Sequence, residues 1–130
     1  MNVYNPLFNE ENILQDTRFA EAINLFNSGE WYLAHDLFEE IWHETNGLPR
    51  ITIQGILQIA VAQVHLESNN IKGAMILYGE GLGRLKRPDS PHLGLNIKNL
   101  CEIVELRLHS LQHQNNVKEL AVPVIIKNIY

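Results

Sequence analysis

The chain has 130 residues, 45% of them hydrophobic, and a formal charge of −5 from ten Lys and Arg against fifteen Asp and Glu. That length supports a core that needs no disulfide or metal staple. Scattered basic residues on a net acidic chain argue against a nucleic-acid partner or an acidic membrane face, since both need clustered Lys and Arg. The single cysteine, Cys101, excludes an internal disulfide and suits a reducing cytoplasm. The first residues lack the basic-then-apolar pattern of a signal peptide, and no apolar run approaches the roughly 20 residues of a membrane span.

Asp16 and Thr17 can cap a first helix that runs to about Asn27 and stops at Gly29. Phe19, Ala22, Ile23 and Phe26 supply its apolar stripe. A second helix is predicted from about Glu30 to Glu44, ended by Asn46-Gly47, with Pro49 marking the restart. The third, about Arg50 to Glu67, is apolar almost all round, which predicts a central position. Ser68-Asn69-Asn70 reads as a turn, and Asn70 can cap a fourth helix over about Ile71 to Lys86, closed by Pro88. Arg84, Lys86 and Arg87 gather at its end, where cations suit the helix dipole. Ser90-Pro91 reads as the cap and first residue of a fifth helix reaching about His113. The apolar, β-branched tail Val122-Pro123-Val124-Ile125-Ile126 is predicted to lie over the bundle as an extended arm.

These elements predict an all-α fold in one domain over residues 1–130. The bundle has about five helices: two stacked αα-hairpins, a long C-terminal helix and the extended tail. Trp42, Ile56, Leu57, Val61 and Leu82 are its expected core. A weak internal echo places Ala74, Leu77 and Tyr78 forty positions after Ala34, Leu37 and Phe38, and Ala62 after Ala22. It resembles the tetratricopeptide pattern, but two units fall short of the about three that an array needs. Gly73, Gly79, Gly81 and Gly83 in one helix cost about 1 kcal/mol each relative to Ala. No Lys-Ser/Thr follows them, so they are no phosphate loop. They point instead to close helix packing, within the fold or across a homodimer.

The polar residues of the second and third helices carry the candidate chemistry. On a helical wheel His35, Phe38 and Trp42 fall within about 40° of Trp31 on the inward face, with Glu39 about 80° round at its edge. Asp36, Glu40, His43 and Glu44 lie opposite. On the third helix Gln54, Gln58, Val61 and His65 share one stripe, and Gly55 offers close approach. Buried amides and imidazoles need partners, and facing helices would bring these together. Two His and one carboxylate can bind a divalent metal, so His35, Glu39 and His65 are the candidate ligands, with Gln54, Gln58 and Trp42 beside them. A closed hydrogen-bond network, or a pocket for a small organic ligand, is the other reading of the same residues. Cys101 sits among Leu100, Ile103 and Val104 and reads as an inert core thiol. Trp31, Tyr32 and Trp42 lie among acidic residues and read as packing, not as a stacking platform for bases.

The run Phe26-Asn27-Ser28-Gly29-Glu30-Trp31-Tyr32-Leu33-Ala34-His35-Asp36-Leu37-Phe38-Glu39-Glu40-Ile41-Trp42 resembles domain-of-unknown-function family 309. That family's pattern is a Gly, an aromatic, Ala-His-Glu, a Glu and a Trp. The likeness continues through Ile53-Gln54-Gly55-Ile56-Leu57-Gln58, Ala62, His65, Asn70, Gly73-Ala74 and Leu77, giving a family-like core over about 16–87. Asp36 stands where the family usually has Glu. The resemblance implies a compact helical fold and carries a provisional label of metal-dependent hydrolase. Two functional readings follow. In one, a metal on His35, Glu39 and His65 activates water, with His35 and Glu39 as the catalytic pair. In the other, the hairpins form a tetratricopeptide-like binding or scaffold module and the polar residues are structural.

Overall fold

The structure, a computed structural model, describes residues 9–128. Its helices are α1 (Glu10–Gln15), α2 (Thr17–Asn27), α3 (Trp31–Glu44), α4 (Pro49–Glu67), α5 (Ile71–Leu85) and α6 (Ile97–Gln112), followed by a 3-10 turn at Val117–Glu119. Among the described residues the only β pairing is an isolated antiparallel bridge between Leu95 and Lys127, so the fold is all-α as predicted. No described helix is long and apolar enough to cross a membrane.

Local chemistry sets the boundaries. Asp16 caps α2 by accepting from the Arg18 N–H at 2.8 Å, and Gly29 leaves the helix with φ +76°. Arg18 then reaches Glu40 and Glu44, tying α2 to α3. Pro49 stands in the first turn of α4. Asn70 caps α5 by accepting from the Gly73 N–H at 3.0 Å. The sequence reading missed α1, a six-residue helix held by a reciprocal capping box between Asn9 and Asn12. It is too short to show an apolar stripe, and only Ile13 is buried on it.

The fifth predicted helix starts later than Ser90-Pro91. Ser90 is buried, and its hydroxyl lies 2.8 Å from the Thr52 hydroxyl, which itself donates to the Pro91 carbonyl. A hydroxyl committed to α4 cannot cap a helix. Leu93 and Gly94 then turn left-handed, at φ 54° and 72°, which no helix tolerates. Asn96 provides the cap that Ser90 does not, accepting from the Asn99 N–H at 3.0 Å.

Helices adjacent in sequence pack in series, α2 on α3, α3 on α4, α4 on α5 and α5 on α6. The nearly all-apolar α4 is therefore covered on two sides. Ile53, Ile56, Ile59, Ala60 and Ala62 are all fully buried on it. Ile56 and Leu82 are core residues as expected. Trp42 and Leu57 are half-buried against the core, and Val61 lies partly exposed outside it, a correction to the predicted set. The C-terminal arm is extended. The Asn27 amide brackets Ile125, donating to its carbonyl at 2.8 Å and accepting from its N–H at 2.7 Å.

The closest approach is between α4 and α5. A Cβ placed on Gly81 would meet the Gly55 carbonyl oxygen at 2.9 Å and Ile59 Cγ1 at 3.0 Å. One on Gly55 would meet Leu85 Cγ at 2.8 Å. Gly55 thus serves α5, not α3 as the sequence suggested. Nothing lies within 4 Å of a Cβ at Gly79 or Gly83. Gly81→Ala is expected to lower unfolding free energy by about 1–3 kcal/mol through overpacking. Gly79→Ala, on the same helix, is expected to raise it by up to about 1 kcal/mol through helix propensity. Urea denaturation of both variants checks the pair; equal effects would show that Gly81 is not the contact point.

Candidate functional site

On α3 the side chains of His35, Asp36, Glu39 and His43 form one row. His35 Nε2 lies 3.1 Å from Glu39 Oε2, and His43 Nε2 lies 3.5 Å from Glu39 Oε1. His35 Nδ1 is 3.2 Å from Asp36 Oδ1. The wheel separated His35 and Glu39 from Asp36 and His43. The latter two are exposed as expected, but long side chains one turn apart still meet along the helix axis. Trp42 lies at the edge of this row, with the Arg50 guanidinium 3.8 Å above its ring, a cation–π contact. Trp42 Nε1 and Arg50 Nε are both buried without a hydrogen-bond partner.

The α4 stripe faces elsewhere. Gln58 is buried, and its amide bridges two residues of α5: Nε2 donates to Glu80 Oε2 at 2.9 Å, and Oε1 accepts from Arg84 Nη1 at 3.1 Å. His65 Nδ1 lies 3.0 Å from Asn70 Nδ2. Because Asn70 Oδ1 holds the Gly73 N–H, the amide NH2 is the donor and His65 Nδ1 the acceptor. Gln54 is half-buried on the same helix. The structure thus joins His35 to Glu39, and commits Gln58 and His65 to α5 and its cap. Among the described residues no three His, Cys, Asp or Glu side chains gather so as to hold a metal ion. Of the expected group of His35, Glu39, His65 and Gln58, only His35 and Glu39 are in contact with each other, while Gln58 and His65 take their hydrogen bonds from α5 and its cap.

A second polar cluster went unread in the sequence. Tyr78 is fully buried, and its hydroxyl donates to Gln63 Oε1 and accepts from Arg107 Nε at 2.8 Å. Arg107 Nη1 donates to the Ala121 carbonyl at 3.0 Å. Burial pushes the Tyr78 phenol above its ordinary pKa, against the opposing pull of the Arg107 guanidinium, so the hydroxyl stays neutral at physiological pH. Gln63 and Arg107 line a cavity of about 580 Å3 between α4, α6 and residues 115–122. Leu66, Ile71, Leu111, Val117, Leu120 and Val122 supply its apolar surface, and Glu67, Asn69, Asn115, Asn116 and Lys118 also line it. The signal was present: Leu100, Val104, Arg107 and Leu111 recur at helical spacing, with a cation inside an apolar stripe.

Cys101 is buried, as expected, and its thiol is pushed up to about 11, first by burial and then by the charge of Glu105. The native protein is expected to react with a disulfide reagent at pH about 8 at least tenfold more slowly than the urea-unfolded chain, whose thiol has its ordinary pKa. Equal rates would show Cys101 to be accessible.

A search of curated proteins finds no match for the chain. Residues 19–77 match the model of a family described as a domain of unknown function, DUF309. The match is narrower than the 16–87 span of the motifs. It covers α2 to α4 and the first half of α5, with His35, Glu39, Trp42, Gln54, Gln58 and His65, and stops short of Tyr78, Gly81 and Arg107. Gly29 before α3, the aromatic, His-Asp and Glu-x-x-Trp residues on α3 and the glutamines on α4 all lie within the matched segment, so residues 19–77 are similar to a DUF309 domain.

Proposed function

We propose that this chain is a cytoplasmic binding module rather than a metal-dependent hydrolase, and that the cavity between α4, α6 and the C-terminal arm receives a small organic molecule. The observation that carries this is the cavity itself. Its volume of about 580 Å3 falls within the roughly 300–1,000 Å3 of small-molecule sites, and an apolar wall with a few fixed polar groups is their usual make-up. The hydrolase reading keeps one support, the 3.1 Å contact of His35 with Glu39, a pair able to take a divalent ion if a third ligand joins it. The commitment of Gln58 and His65 to α5 weighs against it.

Small neutral and charged fragments titrated into the protein are expected to shift NMR signals of Leu66, Leu111 and Leu120. Leu111→Trp, which fills the cavity, is expected to abolish those shifts. Elemental analysis of protein purified without chelator is expected to give a metal content that His35→Ala does not change. Stoichiometric metal lost in His35→Ala, or fragments that move only α3, would restore the hydrolase reading.

Homodimerisation belongs to the same proposal. Ile76, Gly79 and Gly83 leave an exposed strip on α5 that a second copy could cover. Sedimentation is expected to give the dimer mass at micromolar concentration, and a monomer there removes the idea.

A further inference from the structure

We infer that the cavity is selective for a small monocarboxylate, its carboxylate on Arg107 and Gln63 and its apolar body against the leucine and valine wall. This rests on the binding reading above and adds the chemical class of the ligand.

Arg107 is only 5% exposed, and among the described residues no carboxylate lies within ion-pair distance of it. A guanidinium stays charged at any physiological pH, and a buried cation without a counter-ion is heavily penalised. Its partners, the Tyr78 hydroxyl and the Ala121 carbonyl, are neutral. They take two of its five N–H groups and leave three.

Gln63, 6% exposed, points the same way. The Tyr78 oxygen already accepts from Arg107, so its own proton goes to Gln63 Oε1. That fixes the amide with its NH2 as the free end, and this NH2 has no partner among the described residues. Both side chains are anchored on one phenol oxygen, so their unused donors are close together, and both line the cavity. Where Arg107 and Gln63 meet, the buried groups offer donors and a positive charge, which calls for an acceptor that is negative.

The size of that charge follows from the rim. Lys118 and Glu67 stand there and offset one another, leaving the single charge of Arg107. A carboxylate carries one negative charge and matches the planar guanidinium fork. A phosphate monoester near pH 7 carries about −1.5 to −2 and would be left undercompensated. A neutral alcohol or ketone would leave Arg107 unpaired.

The test is calorimetric and NMR titration of the full chain with sodium hexanoate, hexan-1-ol and inorganic phosphate. Hexanoate is expected to bind at least about tenfold more tightly than hexanol, the scale of one charge-assisted contact, and to shift signals around Gln63, Arg107 and Leu111. Gln63→Glu preserves side-chain size and supplies an internal counter-ion to Arg107. It is expected to fold and to weaken hexanoate by at least about tenfold, and by more than it weakens hexanol. Hexanol binding as tightly as hexanoate, phosphate binding more tightly, or Gln63→Glu leaving hexanoate unaffected would each overturn the carboxylate inference while the binding reading survives. Binding of none of the three probes would overturn both.

Discussion

The contact of Gly55 with Gly81 governs how α4 is used. Two facing glycines let the α4 and α5 backbones approach, with the Gly55 carbonyl oxygen 2.9 Å from where a Cβ on Gly81 would stand. Dispersion and apolar burial both grow as helices approach, and the Leu85 side chain of α5 packs where a Cβ on Gly55 would stand. The same approach brings Gln58, one turn along α4, over Gly81, at 3.7 Å from the position of its missing Cβ. Glu80 and Arg84 flank that gap one turn apart on α5. A carboxylate and a guanidinium there meet both ends of one amide, and a buried Gln is satisfied without water. Side chains at either glycine would separate the helices and leave that amide unpaired.

Much of the fold was readable because its signals are local. Phe19, Ala22, Ile23 and Phe26 gave α2 its stripe, Asn70 and Gly29 marked ends through caps that depend on neighbouring residues alone, and the β-branched tail is extended. The failures share a cause. Ser90-Pro91 has the form of a helix start, but the Ser90 hydroxyl is held by Thr52, thirty-eight residues away, and no local rule sees that competitor. For α4, a wheel gives only angles within one helix. With apolar residues nearly all round α4, nothing local says which neighbour takes which face. Facing α3 is the natural expectation for Gln58 and His65, whereas Gln58 bonds to Glu80 and Arg84 on α5 and His65 to its cap residue Asn70. Arg107 was legible as an anomaly in a stripe, but its meaning depends on Tyr78 and Ala121, on other elements.

The consequence for function is a division of the molecule. The segment that matches DUF309 supplies the His35–Glu39 row, the Trp42–Arg50 stack and, at the end of α4, Gln63 and Leu66. Arg107 and the opposite wall of the cavity come from α6 and residues 115–122, beyond the matched segment. The arm is held there by backbone groups: Arg107 on the Ala121 carbonyl, the Asn27 amide on both polar groups of Ile125, and Asn96 on the Ile126 carbonyl. None of these bonds reads the side chains of the arm, so Leu120 and Val122 can vary without loosening it. Such an arrangement fixes the wall in place while leaving its shape free to change. Arg107 joins the two roles, because the guanidinium that anchors the arm also presents its remaining donors to the cavity. On the binding proposal, ligand charge would be set by one residue of α6, and ligand shape by the arm that the same residue holds.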